Sequence, residues 1–405
     1  MISSKGAFMS SDSKNSVVFL SGKRTPFGAF GGSLKDLSAT ELGVRTSQAA
    51  LEQANVKPEE IDHVIFGNVV QSDSNSIYLS RHIGLHCNIP KEVPALTVNR
   101  LCGSGFEALI QSAYHLLMDG HRYVLAGGSE SMSQVPFVVR NARWGQKMGH
   151  HKISDYLMES LEDGYCQTAM AETAENLARA YEISREQSDE YALLSQKRTE
   201  KAYQKGHFKE ELISLEVSGR KGPFQMEKDE HPRPQTTTET LAKLKPAFRK
   251  DGMVTAGNAS GMVDGAASLV CSTEEVAKSE GKEILGYLKN WAVVGVEPKE
   301  MGAGPIAAIH KLLQKSQLKL QDIQLFEVNE AFAPQYLAVE KALGLPRERT
   351  NVNGGAIAIG HPLGATGARI AMNALYELRR RKERYGVVSA CIGGGQGIAL
   401  LLENR

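Results

Sequence analysis

The chain has little net charge, few cysteines and no long apolar run, and each absence excludes something. Lys and Arg number 47 against 46 Asp and Glu, a formal net charge of +1. No global field draws it to nucleic acid or an anionic membrane, so an anionic ligand must be held by a local patch. The five cysteines (Cys87, Cys102, Cys166, Cys271, Cys391) are odd in number and none forms a CxxC pair. That argues against a disulfide framework or a zinc site, and no metal ligands are predicted. No stretch approaches the ~20 apolar residues of a membrane span, so no membrane partner is expected. The first residues, MISSKGAFMSSDSKNS, contain no arginine and no apolar core and include Asp12. They read as a short disordered leader, and with the cysteine usage they predict a cytoplasmic protein.

What the chain has instead is length and glycine. Its 405 residues, 41% hydrophobic and 23% charged, exclude wholesale disorder and allow two or three domains. Glycine, at 39 residues, stands near 10% against a usual ~7%, and much of it falls in a few clusters.

One plan occurs twice. Residues 47–70 show helical apolar spacing, a turn at Lys57-Pro58, then a strand from His63; residues 308–332 repeat that order 262 positions later. Leu51 matches Leu313, Val56 matches Leu318, Ile61 matches Ile323 and Phe66 matches Val328. After each unit comes a Gly-rich turn (from Asn99 and from Asn353), a helix, a strand (Tyr123–Ala126 and Tyr385–Ala390) and a further glycine cluster. Alternating strands and helices predict two similar layered α/β/α domains. The predicted divisions are 16–133 completed by 252–282, then 283–405. Between them, 134–251 has long charged helical stretches and a Pro- and Lys-rich irregular piece, the composition of an inserted loop domain covering a ligand.

Three clusters bear chemistry. Asn99–Gly105 places Cys102 at the start of an apolar helix, where unpaired N–H groups and the dipole favour a thiolate. Gly103 and Gly105 would let a substrate approach the backbone. The run Gly103–Ala108 also fits G-x-G-x-x-A, but no strand with an acidic ribose-binding residue follows, so a dinucleotide site is not predicted. Asn353–Gly367 carries His361 before Pro362 in a glycine-rich loop, poorly placed for packing and suited to proton transfer near neutral pH. Cys391–Gly397 puts a second thiol at a strand end with backbone N–H groups behind it, suited to an oxyanion. Two thiols and an imidazole from duplicated halves point to a covalent thioester intermediate with separate proton transfer. The other three cysteines read as packing residues, and His150-His151 as surface.

Over nearly its whole length, from Lys23-Arg24-Thr25-Pro26-Phe27-Gly28 to Gln396-Gly397, the chain resembles the thiolase family. The motifs that carry the resemblance are Asn99–Gly105, Gly127–Ser133, Thr255–Gly261, Asn329–Ala333, Asn353–Gly367 and Cys391–Gly397. Ser76–His82 and Val138–Trp144 look more like 3-ketoacyl-CoA thiolases of the mitochondrial matrix type than the short-chain biosynthetic enzymes.

The resemblance implies a duplicated thiolase fold and reversible thiolytic cleavage, 3-ketoacyl-CoA + CoA to acyl-CoA + acetyl-CoA. It implies Cys102 as nucleophile, His361 as its activator and Cys391 as proton donor and acceptor. One oxyanion hole would be formed by the N–H groups of Cys102 and Gly393, the other by His361 and a water held by Asn329. Coenzyme A is then a substrate, and no cofactor is expected. Met170, Arg233, Ala247, Phe248, Ala256, Ser260, Ala331 and Phe332 are implied for CoA, with Met301 and Ile392 facing the acyl pocket. A homodimer or dimer-of-dimers tetramer is implied. The alternatives are an acetyl-CoA acetyltransferase, a condensing relative with a malonyl-type donor, and a non-catalytic acyl-CoA-binding protein. The presence of Cys102, Asn329, His361 and Cys391 together argues against the last two.

Overall fold

The computed structural model describes residues 16–219 and 222–405; the leader expectation lies outside them. Nine strands form the path of the main sheet. They are β1 (Val17–Arg24), β2 (His63–Gly67), β3 (Ala95–Val98), β4 (Tyr123–Glu130), β5 (Val263–Thr273), β6 (Gly286–Gly295), β7 (Leu325–Val328), β8 (Tyr385–Ile392) and β9 (Gln396–Glu403). Their spatial order is β7-β8-β9-β6-β1-β5-β4-β2-β3. The helices that place the site are α1 (Ala39–Ala54), α2 (Ser104–Met118), α3 (Met170–Ala180), α4 (Arg185–Gln204), α5 (Gly304–Ser316), α6 (Ala333–Leu343), α7 (Ala356–Ile359) and α8 (Leu363–Arg381).

The duplication predicted from apolar spacing is present in three dimensions. Helix α1 ends on Asn55 at φ 50°, and α5 ends on Gln317 at φ 56°, the same offset. A single 3₁₀ turn follows each, at Pro58–Glu60 and Leu320–Asp322, and then β2 or β7 begins. β2 pairs parallel with β4, and β7 parallel with β8. The halves join where Val17–Phe19 of β1 meets Gly286–Leu288 of β6 antiparallel.

The central layer is shared. Helices α2 and α8 lie against each other with residues of both half-sheets in one hydrophobic cluster that includes Phe106, Leu109, Ala368, Met372, Leu269 and Leu400. Helix α8 is buried along Leu363–Leu378, polar residues included, so it has no solvent face until its last turn. There Arg380 and Arg381 pair with Glu377, as cations at a helix C-terminus should. Glycines make the close approach possible. A Cβ on Gly105 would stand 2.5 Å from the Ala368 nitrogen, and one on Gly367 would stand 2.2 Å from the Phe106 nitrogen. This corrects the expectation that Gly105 opens the backbone to a substrate: it opens it to α8.

The inserted segment holds α3, α4 and three short two-stranded ribbons. It is anchored to β1 by one fully buried cation. The Arg24 guanidinium donates to Glu211 at 2.6 Å and to both oxygens of Asp229 at 2.7 and 3.1 Å. Asn373 of α8 also donates to Glu211, and Tyr203 of α4 to Asp229. Deleting one partner of such a pair leaves uncompensated charge in the interior, so Arg24→Ala should cost about 3–5 kcal/mol. Urea denaturation checks this against Arg379→Ala, whose partner Glu283 is exposed and whose loss should cost under ~1 kcal/mol.

Among the described residues, no helix is long and apolar enough to cross a membrane.

Candidate active site

Cys102 sits in a tight turn between β3 and α2. The turn is closed by side chains: Asn99 Oδ1 accepts from the Leu101 N–H at 2.9 Å, and Ser104 Oγ accepts from Arg100 and donates to the Leu101 carbonyl. Leu101, immediately before the cysteine, has φ 47°. A left-handed conformation at a bulky non-glycine residue is held only where the surroundings over-determine it. The consequence is a cysteine projected from the turn, part-exposed, ahead of the helix.

The helix terminus does not turn Cys102 into a thiolate, which corrects the sequence expectation. The N–H groups of Gly103 and Ser104 are already committed to the carbonyls of Arg100 and Leu101. The sulfur does meet its own N–H and that of Gly393. Burial outweighs both, and the thiol is pushed up to about 11.

Cys391 comes from the other half. It is fully buried on β8, opposite Gly397 of β9, just before the turn in which Gly394 and Gly395 have φ 78° and 80°. Burial raises its thiol pKa, and the nearby Cys102 sulfur raises it further. The two cysteines, one from each half, therefore lie near one another. Ile392, the next residue, points to the opposite face of the strand. It packs in the main core, 2.6 Å from where a Gly103 Cβ would stand, beside the Cys102 turn.

His361 precedes α8. Its backbone N–H donates to the Gly261 carbonyl at 2.9 Å. Its Nδ1 lies 2.6 Å from Thr366 Oγ1, whose own proton goes to the Pro362 carbonyl. With Thr366 donating to Pro362 it accepts from the ring, an arrangement that puts the ring proton on Nδ1 and leaves the lone pair on Nε2, where the Asn329 amide N–H can donate. Asn329 Nδ2 approaches that nitrogen at 3.4 Å. Asn329 Oδ1 is buried without a protein partner, an acceptor suited to hold a water. Burial, helped by the Arg369 guanidinium, lowers the imidazole to about 3. The ring is therefore neutral at rest, not poised near neutrality as its ordinary value suggests. With the thiol pushed up and the imidazole pushed down, burial disfavours a thiolate–imidazolium pair before substrate arrives, which favours proton transfer accompanying sulfur–carbon bond formation.

Two buried carboxylates that sequence reasoning passed over hold these parts in place. Glu130 accepts from Val69, Val70, Asn68 and Gly364, so it joins the end of β4 to the first turn of α8. Burial raises it to about 7. Glu330, next to Asn329, accepts from Tyr191 and Ser195 of α4 and from the Ile357 N–H of α7. Both lie inside motifs already singled out, as does Thr366. Their letters were visible, but nothing in the order of letters distinguishes a buried clamp from an exposed acid.

The implied CoA and acyl residues divide in two. Met170, Met301, Ala331 and Phe332 cluster with Cys391. Ser260 donates its N–H to the Ala331 carbonyl, which brings the Thr255–Gly261 loop to the same place. Ala247, Phe248 and Ala256 are exposed on the inserted segment and the loop that follows it, with the Ala247 N–H donating to the Val254 carbonyl. Arg233 is exposed, and its guanidinium donates to the carbonyls of Glu230 and Pro232. A separate cleft of about 340 Å³ beside Tyr203, Phe208 and Lys228 contains none of the site residues. Cys87 and Cys271 are buried as expected, and Cys166 is part-exposed.

Comparison with known proteins agrees with this geometry. Residues 17–275 match the thiolase N-terminal domain and residues 282–404 the thiolase C-terminal domain. Human mitochondrial 3-ketoacyl-CoA thiolase is 52% identical over 96% of this chain and 98% of its own length. Its crystal structure in complex with CoA superposes with a TM-score of 0.93, covering 96% of this chain and 98% of that one. An acetyl-CoA acetyltransferase structure from Bacillus anthracis, 44% identical, gives 0.94 and covers 97% and 100%.

The cytoplasmic expectation is overturned by these findings, since the human relative and its structure are mitochondrial by name. It rested on the composition of a short leading stretch, and a cellular address is read by receptors from such stretches independently of the fold.

Proposed function

The chain belongs to the thiolase family, and from that premise we propose which of its atoms carry the reaction. The activity is thiolase-type acyl transfer, the reversible cleavage of a 3-ketoacyl-CoA by CoA into acyl-CoA and acetyl-CoA, with CoA as substrate. The observation that supports the assignment is that the Cys102 sulfur meets the Gly393 N–H, lies close enough to Cys391 of the other half to raise its pKa, and shares a cluster with Leu363, two residues after His361.

The Cys102 sulfur bonds the keto carbon while its proton passes to His361 Nε2. The resulting alkoxide is received by the N–H groups of Cys102 and Gly393, the same groups that face the sulfur at rest. Collapse breaks the carbon–carbon bond, and the electron pair enters the acetyl-CoA enolate, whose oxygen faces His361 and the water on Asn329. Cys391 gives its proton to the enolate carbon, releasing acetyl-CoA. Its raised pKa suits this step, because it holds the proton until a carbanion is there to take it. The thiol of CoA returns a proton to Cys391 and attacks the Cys102 thioester; His361 protonates the departing sulfur. Each oxyanion donor lost from such a site costs about 3–4 kcal/mol of barrier.

Met170, Met301, Ala331 and Phe332 line the approach to Cys391, while Ala247, Phe248, Ala256, Ser260 and Arg233 are the contacts proposed for the rest of CoA. The Arg233 guanidinium could stack on adenine or meet phosphate. The inserted segment 134–251 is read as the CoA-covering unit, between 16–133 with 252–282 and 283–405. A dimer or dimer of dimers is supported by β3, an edge strand that carries exposed Leu96 and follows a segment with exposed Ile77, Tyr78 and Leu85.

The test is a profile of kcat/KM for thiolysis of 3-ketoacyl-CoA substrates of four to sixteen carbons. A degradative 3-ketoacyl-CoA thiolase should cleave substrates longer than acetoacetyl-CoA at least as well as it. Confinement to four carbons would favour the acetyl-CoA acetyltransferase reading, and no cleavage of any member would end the assignment.

A further inference from the structure

At the far end of α2 from Cys102, the structure gathers imidazoles that the reaction does not use. His115 and Asp119, four residues apart, share one face of the last turn of the helix. Gly120, at φ 70°, turns the chain so that His121 comes back to the same spot. One ligand atom from each of the three lies within 4.8 Å of the others. His115 Nδ1 is 2.7 Å from Asp119 Oδ2. A second observation is independent of this spacing: His121 Nδ1 is buried with no hydrogen-bond partner. His63, at the start of β2, packs its ring 4.2 Å from that of His115 and 5.9 Å from that of His121.

We propose that His115, Asp119 and His121 form a binding site for one divalent transition-metal ion of the zinc class. Two imidazole nitrogens and one carboxylate oxygen are the donor set of zinc, cobalt or nickel, and not of magnesium or calcium, which take oxygen. Ligands stand about 2.0–2.2 Å from such an ion, and the exposed Asp119 carboxylate is free to rotate the short distance required. The ion displaces the proton shared between His115 and Asp119 and gives the buried His121 nitrogen its missing partner. It pins the C-terminus of α2 to the segment leading into β4. The 15-residue helix is about 22 Å long, so an ion at this end does not touch the reacting sulfurs. The expected effect is on stability and not on turnover.

The test uses the full-length chain dialysed against micromolar Co²⁺, with bound metal measured by atomic spectroscopy and the visible spectrum recorded. The wild type should bind one equivalent with ligand-field bands and no sulfur-to-metal charge-transfer band. That equivalent should persist in Cys102→Ser and vanish in His115→Ala and His121→Ala, both of which should keep wild-type thiolysis. Co²⁺ should raise the Tm of the wild type and leave that of His115→Ala unchanged. Should either histidine variant fail to fold, Asp119→Asn at the exposed ligand provides the same comparison. No bound equivalent, equal binding in all the ligand variants, loss of the metal in Cys102→Ser, or equal competition by Mg²⁺ would each overturn the site.

Discussion

Cys102→Ser is expected to lower thiolysis of acetoacetyl-CoA by about 10⁴-fold or more, the scale on which removing the nucleophile of a covalent enzyme acts. The reason lies in the protonation states. The Cys102 thiol is held at about 11 and its base, His361, at about 3. The gap between them disfavours a separated ion pair, so proton transfer is expected to accompany formation of the sulfur–carbon bond. A serine hydroxyl widens that gap by several units and offers a less polarisable atom at shorter reach. The N–H groups of Cys102 and Gly393 stay in place, so a small residual rate from oxyanion stabilisation should survive. The measurement is loss of the 3-ketoacyl absorbance with CoA present, paired with exchange of labelled CoA into acyl-CoA. Both should fall together, since both pass through the acyl-cysteine. A serine variant as active as wild type in either would reassign the nucleophile.

Cys391→Ala separates the two. Its thiol is proposed to protonate or deprotonate a carbon and then to recover its proton from CoA during thiolysis, so thiolysis and condensation should fall by about 10²–10⁴-fold, the usual worth of one positioned acid or base. Acyl exchange between acyl-CoA and CoA involves no carbon acid and never deprotonates Cys391; the Cys102 proton passes through His361 to the departing CoA sulfur and returns the same way, so exchange should stay within about tenfold of wild type. The substitution removes one sulfur from a well-packed strand and leaves a small cavity, so the protein should remain folded. Equal loss of exchange and thiolysis would show that Cys391 is needed for forming the acyl-enzyme, and the division of labour between the two thiols would have to be redrawn.

How far these residues were legible from sequence differs with the kind of information each needs. The duplication was fully legible, because apolar spacing is set by the period of helices and strands. The pairs Leu51–Leu313 and Ile61–Ile323 reappear as matching helix ends and 3₁₀ turns at the same offset. Cys102, His361 and Cys391 stood out because each occupies a glycine-rich turn where packing gives no reason for it. The roles of the glycines were misread: Gly105 looked like a place for substrate and is a place for Ala368. A close approach is a relation between two segments some 260 residues apart in the chain, and no local pattern encodes its partner.

The same division separates composition from chemistry here. By itself the sequence determined the two-fold α/β plan, the family and the identity of the reactive side chains, because those follow from local periodicity and from motifs written in order along the chain. Only the tertiary structure decided that burial pushes both thiols up, that Thr366 sits against the imidazole Nδ1, that Glu130 and Glu330 are buried clamps, and that Ile392 packs into the core. Protonation and orientation depend on how much water and how many donors surround an atom, and those are supplied by residues from the other half of the molecule.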